Sequence, residues 1–175
     1  MKADRFAVSI LDLRIGQVQR SGCWSWVLGS AAAYHAAKKG ARIIGFEQFE
    51  SGHVRGASHD TSRIVRAAYD RPEYVALAKA AYKDWAELEE TSKQKLLTIT
   101  GGLILMPTES DLNMRTWAES SKANGVPYEL LSRDQVNQRW PQFNVPVNYE
   151  AVYKANSGMI HASRSVTAMQ YMARL

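Results

Sequence analysis

Cysteine is nearly missing from this chain. Cys23 is its one thiol, so no internal disulfide framework holds the fold, and a reducing compartment is compatible with it. Also missing is any apolar run of about 18 residues or more, which excludes an ordinary membrane-spanning helix. The opening residues, 1–22, lack both a continuous apolar stretch and a small-residue cleavage site, so they do not make a secretion signal. Arg5, Arg14 and Arg20 suit a transit peptide, but Asp4 and Asp12 oppose one. The net charge is +5, yet Lys and Arg are spread among Asp and Glu, which predicts a solvated surface and no nucleic-acid patch. His53 and His59 with one distant cysteine have no metal-ligand spacing, and His35 and His161 are read as ordinary. Repeats and low-complexity tracts are absent. What is left, 175 residues at 46% hydrophobic and 22% charged, is globular composition with room for a real core.

Against that background one stretch stands out, LGSAAAYHAAKKGARIIGFE from Leu28 to Glu47. Gly29 opens a run of small residues, Ala31, Ala32, Ala33, Ala36 and Ala37, that lets a helix lie close against a sheet. Gly40 stops it. Ile43, Ile44 and Phe46 follow as a short strand with Glu47 at its end, 47 − 29 = 18 positions after Gly29. That is near the ~20 residues expected between a glycine turn and the carboxylate that holds a ribose hydroxyl. A helix N-terminus attracts a pyrophosphate through its free N–H groups, and a strand-end carboxylate accepts from sugar hydroxyls. The stretch is therefore expected to be the second half of a dinucleotide-binding βαβ unit.

Two glycines are missing just upstream. If Gly29 is the third glycine of G-x-G-x-x-G, the first two belong at positions 24 and 26, where the chain has Trp24 and Trp26. An indole of roughly 150–250 Å² does not fit a gap that needs bare backbone. Tryptophan has the single codon TGG, and read one base later it becomes GGN, which is glycine. Residues up to about Trp26 are therefore expected to be translated in a shifted frame.

Further on, QFESGHVRGASHDTSRIVRAAYDRP reads as a long loop, and loops of that length are often functional. From Pro72 an amphipathic helix is expected, with Tyr74, Leu77, Ala78, Ala81, Tyr82, Trp85 and Leu88 as its core stripe. Residues 96–106 predict one strand broken by Gly101 and Gly102. Thr108 and Asp111 predict the start of a helix that runs to about Asn124 and stops at Gly125. A strand from Tyr128 to Leu131, a second capping box at Ser132 and Gln135, and a helix ending before Pro141 follow. Residues 149–155 alternate as a strand, Asn156 to Gly158 turn, and Ser163 begins a helix reaching Leu175 with no cap, as in an incomplete chain.

In order, GSAAAYHAAKKGARIIGFEQF, HVRGASHDTSRIVRAAY, LLTITGGLIL, RWPQF and YKANSGMIHA resemble segments of the flavoprotein amine oxidases of the monomeric sarcosine oxidase and N-methyltryptophan oxidase group. The resemblance covers residues 27–175; the first 26 residues do not match. It implies an α/β chain: an FAD-binding, Rossmann-like (GR2-type) βαβ unit plus part of a mostly antiparallel substrate domain. It also implies a division into residues 27–90 of the FAD domain, 91–160 of the substrate domain, and 161–175 returning to the first. By position, Gly29 and Ser30 would lie at the pyrophosphate of FAD and Glu47 at the adenosine ribose. His59, Ser62 and Arg63 would lie beside the isoalloxazine, with His59 and Arg63 as the catalytic candidates. Arg66 would pair with the substrate carboxylate, a role that suits a planar, bidentate cation.

The same resemblance implies an oxidase that takes a small secondary amine or N-methyl amino acid and molecular oxygen, monomeric in the parent family. It implies a cytoplasmic location, or a peroxisomal one where a C-terminal signal exists. The family's flavin-bonding cysteine and oxygen-activating lysine belong to a C-terminal half absent from these residues, and Cys23 does not replace that cysteine. Two other readings stay open: a truncated product without flavin, and a Rossmann domain using a nicotinamide cofactor, which the loop disfavours. Sequencing the transcript across codons 20–30 is expected to show a frame change close to codon 26; one unbroken frame there overturns the frame argument.

Overall fold

The structure is a computed structural model that describes residues 11–12, 20–23, 26–47, 49, 53–55, 59–111 and 113–175, with side chains described from Val27 onward. Trp24, and with it half of the missing glycine pair, lies outside the described residues. The chain divides into two compact units. The first is Met1–Arg63, Glu87–Leu96 and Ile160–Leu175, and the second is Ile64–Ala86 and Leu97–Met159.

In the first unit, β1 (Leu11–Asp12), β2 (Arg20–Cys23) and β3 (Ile43–Phe46) form a sheet of order β1-β3-β2. β2 runs parallel to β3 with Gly22 opposite Gly45 and Cys23 opposite Phe46, while β1 is antiparallel. Parallel neighbours need a crossover, and α1 (Trp26–Lys38) supplies it. Its small residues permit close packing: Ser30, Ala33 and Tyr34 are buried, and Ser30 accepts a 3.0 Å hydrogen bond from Gln170 Nε2 on α5 (Ala162–Met172). Gly40, at φ +79°, ends α1. Its N–H donates to Ala37 O and that of Ala41 to Ala36 O, the paired bonds of a Schellman motif. The expected helix is thus present but starts earlier, at Trp26, so Gly29 is its fourth residue and not its first. Lys38 closes on Glu87, near the C-terminal end of α2 (Pro72–Ser92), at 2.5 Å.

The second unit is built on the antiparallel sheet β6 (Gly102–Pro107), β8 (Tyr149–Lys154), β7 (Glu129–Ser132), with β8 in the middle. Each face of β8 has its own core, as the period-two alternation of a strand dictates. Ala151 packs with Leu131, Val136 and Val145; Val152 packs with Ala68, Met106, Met114 and Trp117. The α3 helix (Met114–Ala123) places Met114 and Trp117 in the second of these cores and ends at Gly125, φ +61°. α4 (Arg133–Arg139) starts at the expected capping box: the Ser132 N–H donates to Gln135 Oε1 at 2.8 Å and the Gln135 N–H to Ser132 Oγ at 3.3 Å.

Several expectations shift. Residues 96–106 are not one strand. Gly101, at φ +73°, turns the chain between β5 (Leu97–Ile99) and β6, which belong to different sheets. The cap of α3 is Asn113, whose side chain accepts from the Arg115 N–H at 2.8 Å, in place of Thr108 and Asp111. On α2 the expected stripe holds from Ala78 onward, with Leu88 buried and Ala78, Ala81, Tyr82 and Trp85 part-buried, but its first turns differ: Val75 is buried, whereas Tyr74 and Leu77 are exposed. A valine in a run of alanines carried too little weight beside larger side chains. The long loop also holds a three-residue strand, β4 (Arg63–Val65), in a sheet of order β4-β9-β5 with β9 (Gly158–Ile160).

Gly158 has no room for a side chain, because a Cβ there would meet the Thr98 carbonyl oxygen at 2.1 Å. Gly158→Ala is expected to destabilise the protein by about 3 kcal/mol or more in denaturant titration, since backbone must move. Gly40→Ala, which meets nothing within 4 Å but keeps φ at +79°, should cost only about 1–2 kcal/mol; equal losses contradict the packing account.

Candidate functional site

In the first unit, the parallel pair β2 and β3 with α1 between them puts a helix start and a strand end on the same side of the sheet. Gly29 lies among the first four helical residues, whose N–H groups have no partner inside the helix, and no acid stands in that turn. Ser30 is fully buried with its hydroxyl on Gln170. Glu47 is the first residue past β3. Its Oε1 accepts from the Phe49 N–H at 3.2 Å and lies 3.6 Å from His53 Nε2. His53 Nδ1 accepts from the Arg55 N–H at 3.2 Å, so the ring proton of the neutral imidazole is assigned to Nε2, facing the carboxylate. Phe49 is flanked by the His53 ring, edge-on at 4.8 Å, and by the Arg55 guanidinium at 4.6 Å. Among the described residues, Glu47 is thus held through its Oε1. Phe49, His53 and Arg55 were not expected to support it, although all three fall within eight residues after Glu47.

The same unit holds the segment from His59 to Arg63. His59 is part-buried and Ser62 exposed. Asp60 takes φ +91°, and its carbonyl accepts from the Ser163 N–H at 3.3 Å and the Ser163 hydroxyl at 3.0 Å. The Thr61 N–H, donating to Asp60 Oδ1 at 2.7 Å, is the largest cause of a lowered Asp60 pKa, with Arg63 and His59 helping. Arg63 reaches Asp60 Oδ2 at 3.8 Å and donates to Ser62 O at 2.7 Å. These contacts shape the turn that presents the segment.

Arg66 belongs to the second unit. Its guanidinium lies over the rings of Tyr69, 5.4 Å away, and Trp117, 5.5 Å away, contacts of about 0.5–2 kcal/mol each. On the same face of β8 as Val152 sits Lys154, fully buried, with its ammonium 2.6 Å from Ser121 Oγ and over the Tyr128 ring at 5.6 Å. Burial pushes the Lys154 pKa down to about 8. The sequence had one signal for it: a charge two residues after a core valine, hence on the same side of the strand. A groove of about 1000 Å³ in this unit, lined by Asn113, Arg115, Leu130, Arg133, Val147 and Glu150 among others, has none of the expected site residues in its wall.

A parallel βαβ crossover with a carboxylate past its second strand is the arrangement that dinucleotide-binding α/β proteins share. Comparison with known proteins narrows this: the family described as FAD dependent oxidoreductase (DAO) matches residues 27–174, and the chain belongs to it. It is 34% identical over 147 residues to monomeric sarcosine oxidase of Bacillus sp. (strain B-0618), covering 83% of this chain and 38% of that protein. It is 32% identical over 143 residues to N-methyl-L-tryptophan oxidase of Yersinia pestis (strain Pestoides F), covering 81% and 38%. Human peroxisomal sarcosine oxidase is 32% identical over 144 residues, covering 82% and 37%. Among solved structures, NikD, an unusual amino acid oxidase essential for nikkomycin biosynthesis, superposes with a TM-score of 0.69 at 19% identity, covering 88% of this chain and 40% of NikD. L-proline dehydrogenase from P. horikoshii gives 0.67 at 18%, covering 88% and 41%. The chain therefore spans about 40% of the length of these relatives.

The resemblance to the sarcosine and N-methyltryptophan oxidases is borne out, as is the α/β class with its antiparallel sheet, and the family match begins at residue 27. No helix among the described residues is long and apolar enough to cross a membrane. The residues described around β3 suit the adenosine half of FAD, because among the described residues Phe49 and His53 hold the Glu47 carboxylate through one oxygen, Oε1, at the end of the strand.

Lys154 gives a pH signature. Its folded pKa, about 8, lies below the ordinary 10.5, so between those values the unfolded chain holds a proton that the folded chain has lost. Stability should rise with pH across that window and carry the full penalty, on the order of 3 kcal/mol, below it. Lys154→Met should abolish this rise and leave the protein as stable or more stable at pH 7, since Ser121 keeps its bond to Trp117 O. Denaturant midpoints measured from pH 7 to 10.5 check this; a destabilised variant that keeps the wild-type slope contradicts it.

Proposed function

We propose that this chain forms the adenosine-binding and carboxylate-binding part of an FAD-dependent oxidase acting on N-methyl or other secondary amino acids. The observation that carries the reading is the parallel β2–α1–β3 crossover ending in a pinned Glu47, in a chain of the FAD dependent oxidoreductase family. The names of the relatives, sarcosine oxidase and N-methyl-L-tryptophan oxidase, supply the substrate class. In this reading Glu47 accepts from the ribose hydroxyls of FAD, and the α1 start with Gly29 and Ser30 faces its pyrophosphate. His59, Ser62 and Arg63 flank the isoalloxazine, where the Arg63 cation favours negative charge on the reduced ring. Arg66 grips the substrate carboxylate, which leaves the amine end to react.

The flavin, when bound, would take two electrons and a proton equivalent from the carbon beside the amine nitrogen, leaving an imine that hydrolyses, and oxygen would take the electrons on as hydrogen peroxide. A cytoplasmic location goes with this reading, and the peroxisome is the alternative that the human relative's name brings. One feature favours a second reading, a product that holds no flavin: the tryptophans at 24 and 26 where the phosphate turn needs glycine.

Purifying the chain as written and with Trp24→Gly and Trp26→Gly separates the two. The flavin reading expects yellow protein, with the flavin band in the visible spectrum, at least in the glycine form. Colourless protein in both forms removes flavin binding from this polypeptide.

A further inference from the structure

The described contacts of the Arg66 guanidinium are two ring faces, Tyr69 at 5.4 Å and Trp117 at 5.5 Å. Ring contacts of this kind restrain where a guanidinium sits while offering its N–H groups no carboxylate or carbonyl oxygen, so they fix direction and leave donors for a ligand. The rings are themselves anchored, and in different cores. Trp117 packs with Ala68, Met106, Met114 and Val152 and is 9% exposed, whereas Tyr69 packs against Ala67, Val75 and Val126 and meets the Tyr74 ring edge-on at 5.9 Å. The backbone between them is held in the same way. Ala67 (0% exposed) belongs to one cluster and Ala68 (1%) to the other, so the chain beside Arg66 is pinned from both sides.

We propose that Tyr69 and Trp117 are positioning residues for Arg66, holding its guanidinium plane so that the N–H edge meets a ligand carboxylate bidentately and the second unit prefers a carboxylate-bearing amine over the bare amine. This rests on the carboxylate role of Arg66 given above and adds what makes that role selective. A free arginine must give up rotamer freedom when it binds; one already in contact with two anchored rings gives up less, and affinity rises by the difference. Lysine, with no plane to stack, cannot be held in this way.

Nuclear magnetic resonance on the full ¹⁵N-labelled chain tests it with two independent readouts. In the free protein, the Arg66 Nε–H signal should show a ring-current shift that Trp117→Leu and Tyr69→Leu each reduce and Trp117→Phe largely keeps. On titration with acetate or N-methylglycine, that signal should move, methylamine should leave it in place, and the two leucine variants should bind roughly five- to tenfold more weakly. Arg66→Lys should lose the binding. An Arg66 signal that ignores both leucine variants, or leucine variants that bind acetate as well as the original chain, overturns the positioning role while leaving Arg66 as the carboxylate group. Acetate binding that survives Arg66→Lys, or no acetate binding at all, removes the carboxylate role itself and the positioning role with it, even if the ring-current shift is present. Should Trp117→Leu fail to fold, Tyr69→Leu, at a part-buried ring, decides the matter alone.

Discussion

A carboxylate held one residue beyond a strand end is the constraint on which the first unit depends. Glu47 is kept there by a backbone N–H, that of Phe49, and by an imidazole whose own tautomer is set by a second backbone N–H, that of Arg55. Both N–H groups belong to residues just downstream, so the placing of Phe49, His53 and Arg55 and the aim of the carboxylate go together. The rest of the unit supplies the other half of the geometry. Parallel pairing of β2 with β3 requires α1 as a crossover, and a crossover necessarily brings its helix start to the side where β3 ends.

The second unit solves a different problem with the same economy of parts. Its central strand β8 is covered on both faces, and the α3 face takes in three polar groups among its apolar ones: Lys154, Ser121 and the indole of Trp117. Ser121 mediates, accepting from the ammonium and donating to Trp117 O at 2.7 Å. A buried ammonium with a neutral acceptor is destabilising by itself. It persists here over the aromatic ring of Tyr128, while Arg66 lies over the ring of Trp117.

Much of this was legible in the sequence where a local rule has few exceptions. Gly40 and Gly125 both stop helices at positive φ, and Ser132 with Gln135 forms the capping box that the spacing announces. The spacing from Gly29 to Glu47 gave the crossover and its acid, and the ordered segments from residue 27 onward gave the family. What the sequence hid lies in long-range contacts. Gly101 and Gly102 look like a bulge in one strand because nothing local says that β5 and β6 join different sheets. Val75 outweighs Tyr74 and Leu77 only because Val126, far along the chain, closes over it. The rings around Arg66 come from positions 69 and 117, and no spacing rule links them.

The most direct measurement of the central claim is the affinity of the glycine-restored chain for FAD, compared with the same chain carrying Glu47→Gln. A carboxylate that accepts from ribose hydroxyls contributes about 1.5–3 kcal/mol, so the account predicts that the glutamine form binds roughly 10- to 100-fold more weakly. Equal affinity of the two forms would show that the strand-end acid does not hold the nucleotide and would contradict the account at its base.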